Sequence, residues 1–162
     1  MLQKKIDTQI AAFIRENKNK EWDASRKFCT ENTYIEKKGS MITLFVHRTP
    51  LFTWNTENDE YSVYLGKEGR VPRKYTYRLN ALFFNFFMPF SFYFENHLLI
   101  FEYVNSIGYK EKHLVTAGET IWFTKLPREE GVLSLTQDKF KILGYEGPAY
   151  EEAFTYKGAH NA

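Results

Sequence analysis

The sequence has a single cysteine, Cys29, among its 162 residues. One cysteine cannot form an intramolecular disulfide or build a multi-cysteine zinc site. The chain also lacks an uninterrupted apolar run of about 18 residues, the length that a membrane-spanning helix needs. Its amino end carries Lys4, Lys5, Asp7 and Arg15 and therefore does not resemble a signal peptide. We expect a protein of the cytoplasm that makes no contact with a membrane.

Sequence motifs for cofactors and catalysis are missing as well. Neither a GxGxxG nor a GxxxxGK[ST] loop is present, so a cradle for nucleotide phosphates is not expected. The histidines lack the short paired spacing of a zinc-binding helix, and Cys29 matches no nucleophile signature. We therefore expect no cofactor, no metal site and no catalytic residues, which is to say a protein that is not an enzyme.

Aromatic side chains are abundant, with 15 Phe, 11 Tyr and 3 Trp making up 18% of the chain. Each large ring buries about 150–250 Å², so a few of them fill a small core. We expect a single domain over residues 1–162 with an aromatic core and a frayed tail at 157–162. The alternative is that some rings are exposed for stacking on bases or docking on a protein. The residues considered for such a patch are Trp54, Phe87, Phe90 and Tyr93.

Helical spacing of apolar residues occurs in two segments. Residues 2–16 predict an amphipathic helix, because apolar side chains recur on one face of a 3.6-residue period. Residues 77–87 predict a second helix with Thr76 as its N-cap, and their phenylalanines leave a buried strand as the alternative. Asp23 is a candidate N-cap for a short helix through Phe28, where a plain loop is the alternative.

Elsewhere the period is two, which is typical of strands. Turn residues separate the segments, so neighbouring strands are expected to pair in antiparallel fashion. The fold class that follows is α+β, an antiparallel sheet with an N-terminal amphipathic helix and a second central helix. The predicted strands are 42–47, 51–54, 61–65, 90–95, 98–104, 113–117, 120–124, 132–135 and 140–143.

Charge is distributed unevenly along the chain. Fifteen of the 22 Lys and Arg residues lie in residues 1–80, together with ten of the 20 Asp and Glu residues. The first half is therefore basic and the second half acidic, although the formal net charge is only +2. A basic half points to an anionic partner on that part of the surface.

The segment 67–78, KEGRVPRKYTYR, concentrates this positive charge. It has five cations against one acid, Glu68, and tyrosines alternate with the cations. Cations replace the counterions of phosphates, flat rings stack on bases, and a helix N-terminus favours phosphate, so the segment predicts binding to DNA or RNA. The alternative is a solvated turn whose cations pair with Glu57, Asp59 and Glu60. The predicted nucleic-acid contacts are Lys67, Arg70, Arg73, Lys74, Tyr75, Tyr77 and Arg78.

His47 stands beside Arg48 at the end of a predicted strand. An imidazole next to a guanidinium can contact an anion or act as a general base. The alternative is a polar residue that merely ends the strand.

The order of features over residues 42–82 resembles a group of small phage and plasmid proteins. In that group a strand, a Thr-Pro-aliphatic turn and two further strands lead through a threonine-rich step into a helix that reads RLN. Here the corresponding residues are Thr49-Pro50-Leu51, Tyr61–Leu65 and the stretch TYRLNAL from Thr76, about a quarter of the chain. Tyr75 and Tyr77 flank Thr76 where two adjacent threonines are common in the group. The resemblance implies a phage or mobile-element origin and nothing about chemistry, because the group has no agreed function.

These observations favour a non-enzymatic accessory protein of a phage or mobile element that binds nucleic acid through residues 67–78. Its location would then be the cytoplasm, that of the host if a phage encodes it. Two alternatives stay open: a protein-binding inhibitor or accessory factor that acts on a host protein, and a component of virion or particle assembly.

Overall fold

The structure is a computed structural model that describes residues 2–29, 32–67, 70–105, 107–127 and 138–147. Within these ranges the chain forms two helices, α1 (Leu2–Asn17) and α2 (Arg73–Asn85). The same ranges contain ten strands: β1 (Ala24–Cys29), β2 (Thr33–Lys38), β3 (Met41–Val46), β4 (Thr49–Asn55), β5 (Glu60–Tyr64), β6 (Phe90–Glu95), β7 (Leu98–Val104), β8 (Lys110–Leu114), β9 (Thr120–Lys125) and β10 (Phe140–Glu146).

The strands form two antiparallel sheets. The large sheet has the order β1-β2-β3-β4-β5-β9-β10, and the small sheet has the order β6-β7-β8. Strands β1 to β5 are a meander of successive hairpins, after which the chain forms α2 and the small sheet and then returns beside β5. The predicted α+β class, with an N-terminal and a central helix, is confirmed.

Both predicted helices are confirmed, but α2 begins at Arg73, earlier than the predicted residue 77. Pro72 is the N-cap, with φ of −61°, an angle that suits the start of a helix. Thr76, the predicted N-cap, lies inside the first turn, where its hydroxyl donates to the Arg73 carbonyl at 2.8 Å. Within the described ranges, neither helix is long and apolar enough to cross a membrane.

The short helix expected after Asp23 is absent, because residues 24–29 form β1 instead. Asp23 Oδ1 accepts the backbone N–H of Gly39 at 3.2 Å, so this carboxylate supports the β2–β3 turn rather than a helix start. β1 pairs with β2, a strand that the sequence pattern did not reveal. The sequence of β1, ASRKFC, is charged and does not alternate, which fits a strand at the edge of a sheet.

The other predicted strands within the described residues agree with the structure apart from shifts at their ends, except that β8 shares only residues 113 and 114 with the predicted strand 113–117. β8 ends at Leu114 rather than at residue 117, and β4 includes Pro50, which lies beside a register shift opposite Phe45. A bulge of this kind tolerates a residue without an N–H. The predicted strand at 132–135 and the tail at 157–162 lie outside the described residues.

Aromatic rings fill the space between the two sheets and α2. Phe123 of β9 is fully buried, and its ring centroid lies 5.0 Å from Tyr61 and 4.6 Å from Phe90. Phe83 of α2 and Phe140 of β10 complete the cluster around it. The expectation of an aromatic core is confirmed, and truncating such a ring typically costs about 3–5 kcal/mol.

A buried ion pair joins α1 to α2. Arg78 Nη1 donates to Asp7 Oδ1 at 2.5 Å, and the two side chains are 4% and 10% exposed. Burial raises the pKa of Asp7, while the hydrogen bond and the charge of Arg78 oppose that rise. Because each ion needs the other in this environment, the pair couples the position of α2 to that of α1.

We predict that Asp7→Ala lowers the free energy of unfolding by about 3–5 kcal/mol, because it leaves the Arg78 guanidinium buried without its carboxylate. The double variant Asp7→Leu with Arg78→Met should recover most of that loss, since an apolar pair of similar volume needs no charge compensation. Urea unfolding followed by circular dichroism measures both values. A loss below about 1 kcal/mol in Asp7→Ala would show that the pair contributes little.

Candidate nucleic-acid interface

Helix α2 divides the basic segment 67–78 between the surface and the interior. Lys67 and Arg70 precede the helix and are exposed, and Arg73 is exposed at its first position. Tyr77 lies one turn after Arg73 and is 51% exposed. The 3.6-residue period of the helix therefore keeps these side chains outside.

Two of the seven predicted nucleic-acid contacts, Tyr75 and Arg78, are buried, being 7% and 3% exposed, so the prediction that they contact nucleic acid is wrong. The Arg78 charge is engaged by Asp7. The Tyr75 hydroxyl lies 3.4 Å from the Thr49 hydroxyl, at the start of β4. Both residues fix α2 to the rest of the domain, because their positions fall on the same helix face as the buried Leu79 and Leu82.

The N-terminal end of α2 lies against the turn between β3 and β4. An ammonium group has no acceptor, so Lys74 Nζ donates to His47 Nε2, at 2.6 Å. The carbonyl of Gly66, just before the basic segment, accepts the N–H of Gly118 at 2.9 Å. The tertiary fold thus brings the β3–β4 turn, the loop that follows Gly66 and the start of α2 to one end of the large sheet. We call this surface the basic end, and its residues are His47, Arg48, Lys67, Arg70, Arg73 and Lys74.

The acidic residues that were the alternative partners of these cations lie at the opposite end of the sheet. Asn55 pairs with Glu60 at the far end of the β4–β5 hairpin. β4 has seven residues, which separates the two ends by about 20 Å. Asp59 there is paired with Lys125, at 3.8 Å between Nζ and Oδ2. Within the described ranges, none of the ion pairs involves a cation of the basic end.

The first turn of α2 adds to the positive potential. It contains no acidic residue, and Pro72 provides no side-chain cap. The partial positive charge of a helix N-terminus is therefore not offset by a local carboxylate. Arg73 is held in place there, because its guanidinium lies 5.3 Å from the centroid of the Phe94 ring.

The β3–β4 turn itself has an unfavourable backbone. His47 and Arg48 have φ of 49° and 67°, a left-handed region in which non-glycine residues are uncommon. Two-residue hairpin turns of this shape favour Asn-Gly, so His-Arg is a poor local choice. Strain of this kind is often retained at functional sites. The sequence signal was the adjacent His and Arg at a strand end, and the structure shows that His47 lies beside Lys74.

The chemistry available at the basic end is electrostatic. In the part of the chain that the structure describes, no group of three His, Cys, Asp or Glu side chains is placed to hold a metal ion. A histidine–carboxylate contact does occur at the β8–β9 loop, where His113 meets the buried Glu119, which also accepts the Thr116 hydroxyl at 2.7 Å. His47 has an ammonium group beside it instead, an arrangement that suits anion binding better than proton abstraction.

No protein-family model matches the chain, and its comparison with curated proteins and with solved structures gives no match either. The interpretation of the basic end therefore depends on its geometry alone.

We predict that replacing His47 by Asn together with Arg48 by Gly raises the free energy of unfolding by about 1 kcal/mol. The reason is that both positive φ values then fall to residues that adopt them readily. Urea unfolding measures the change. His97→Gly is a matched control, because Asn96 and His97 form a similar turn with φ of 51° and 66°. If His97→Gly stabilises the protein and the double variant destabilises it, contacts of His47 and Arg48 outweigh the backbone strain.

Proposed function

We propose that this protein binds nucleic acid through the basic end, without catalysing a reaction. The observation that carries the proposal is the convergence of five Lys and Arg side chains and His47 at the N-terminus of α2, with no described carboxylate at ion-pair distance. When such cations contact the phosphates of a nucleic acid, they release the counterions condensed there, and this release favours binding. The proposal includes an accessory role for a phage or mobile element in the cytoplasm, that of the host for a phage-encoded protein.

Each part of the surface has a distinct role in the proposal. Arg48, Lys67 and Arg70 are the exposed charges that attract the phosphate backbone. Arg73 and Lys74 are partly oriented by Phe94 and His47, so less side-chain entropy is lost when they contact phosphates. The half-exposed Tyr77 ring follows Arg73 by about 6 Å along the helix axis and offers a stacking surface for a base.

We predict that Arg73→Glu combined with Lys74→Glu weakens binding to fluorescein-labelled single-stranded and duplex oligonucleotides. Removing two phosphate contacts should reduce the slope of log K against log salt by about 1.4–1.8. Fluorescence anisotropy over a salt series measures the slope. The variant is expected to fold, because carboxylates in the first turn favour a helix N-terminus.

The matched control is Lys139→Glu with Lys141→Glu, which changes the net charge equally at exposed positions beside Phe140, at the opposite end of the sheet. This control should keep most of the affinity and the full salt slope. If both double variants lose affinity equally, binding depends on net charge alone and the basic end is not the site. Absence of binding to either oligonucleotide at low salt would reject the proposal.

Protein binding is the second candidate, and a specific observation favours it. Phe84 and Phe87, at the C-terminal end of α2, are 82% and 70% exposed. Of the other residues considered for an aromatic patch, Trp54 and Phe90 are buried, so they take no part. Monomeric proteins expose large adjoining apolar side chains rarely, and a second copy of this chain is the partner that can be tested directly.

We predict under this second candidate that the weight-average mass rises with protein concentration and that Phe84→Lys abolishes the rise. Static light scattering after size exclusion measures the mass. Phe84 is almost fully exposed, so the substitution should leave the unfolding free energy within about 0.5 kcal/mol of the wild type. A strict monomer at millimolar concentration would remove self-association as a function of this patch.

A further inference from the structure

A shallow groove lies on the large sheet, across β5, β9 and β10. It has a volume of about 340 Å³ and opens to solvent. Trp122 forms its floor and is 36% exposed, while Leu143 at its side is 47% exposed. The backbone of Gly144 adds no side chain beside the Trp122 ring, with which it is in register. The groove is lined by Glu60, Trp122, Leu143, Gly144, Tyr145 and Glu146.

The Trp122 ring of this groove is held in a fixed position. Trp122 Nε1 donates to Glu146 Oε2 at 3.1 Å. Tyr145 also lines the groove, but its ring lies on the other face of the sheet, because Tyr145 is in register with the buried Ile121 and stacks on His113 of β8, with centroids 3.6 Å apart. Rings that are already ordered lose little entropy when a ligand stacks on them, which distinguishes a binding surface from loose exposed side chains.

The charge of the groove is negative. Glu60 and Glu146 flank Trp122, and neither carboxylate forms an ion pair with a cation of the described ranges. The hydrogen bond from Trp122 engages one oxygen of Glu146, and the other oxygen is available to a ligand. An aromatic floor between two carboxylates is complementary to a cation that has a flat or apolar body.

We propose that this groove binds an arginine side chain presented by a partner protein. The guanidinium group stacks on the Trp122 indole and donates to Glu60 and Glu146, and the methylene stem packs along Leu143. Arginine fits better than lysine, because its planar group combines stacking with forked hydrogen bonds to carboxylates. The groove is too open to enclose a small molecule, which normally buries most of its surface, but it accepts a side chain that protrudes from a protein.

This proposal does not depend on nucleic-acid binding, because the groove and the basic end have opposite charge and share no residue. The two surfaces would allow the protein to contact an anionic and a cationic partner at the same time. The experiments for the two functions use different probes, so one proposal can fail while the other stands.

The test follows the indole N–H signals of the ¹⁵N-labelled protein while the blocked peptide acetyl-Gly-Arg-Gly-amide is added. Trp122 should shift and saturate, whereas the exposed Trp22 and the buried Trp54 serve as internal controls and should stay in place. The same peptide with citrulline, which is neutral and of the same shape, should bind about tenfold more weakly or not at all. The double variant Glu60→Gln with Glu146→Gln should show a similar loss, while Arg73→Glu with Lys74→Glu should bind the arginine peptide as the wild type does.

Three results would overturn the proposal. Equal shifts of Trp22 and Trp122 would indicate unspecific stacking on exposed rings. Equal binding of the citrulline peptide, or unchanged binding by the Glu60→Gln and Glu146→Gln variant, would show that charge plays no part. A Trp122 signal that moves with protein concentration alone would show that a second copy of the chain occupies the groove.

Discussion

Phe123 packs against rings from both sheets and from α2, with centroids 4.6–6.4 Å away. This contact keeps the inner face of the large sheet covered, and it sets the place of α2 through Phe83. On the opposite face of the same sheet, the described residues give β9 no such cover, and Trp122, next to Phe123 in the chain, is 36% exposed. Both candidate surfaces therefore depend on where the aromatic cluster forms.

The placement of α2 determines which cations of the segment 67–78 reach solvent. Once Leu79 and Phe83 are buried, the helical period turns Tyr75 and Arg78 inward and Arg73 and Tyr77 outward. Arg78 tolerates the interior because Asp7 of α1 compensates its charge. The cations of one segment thus have different places: Arg78 is part of the interior, whereas Arg73 is exposed and belongs to the proposed binding surface.

Opposite charges are separated over the molecule. The basic end gathers cations from the β3–β4 turn and from the start of α2, whereas Asp59 and Asp138 lie around Lys125 at the other end of the large sheet. The groove at Trp122 adds Glu60 and Glu146, which form no ion pair with any cation that the structure describes. The net charge is small, but positive and negative charges lie on different parts of the surface. A surface of this kind orients the protein when it meets a charged partner.

Both helices, most of the strands, the α+β class and the aromatic core could be predicted without coordinates, because hydrophobic periodicity is a local property of the chain. The sequence also located most of the cations of the basic end, since they are neighbours in the chain. It missed β2, and it placed a helix at β1, where an edge strand has little apolar alternation. Sequence patterns could not show that Arg78 pairs with Asp7, that His47 lies beside Lys74 or that Glu60 and Trp122 line one groove. Those contacts join residues that are distant in the chain, and their geometry depends on how the sheets and helices pack.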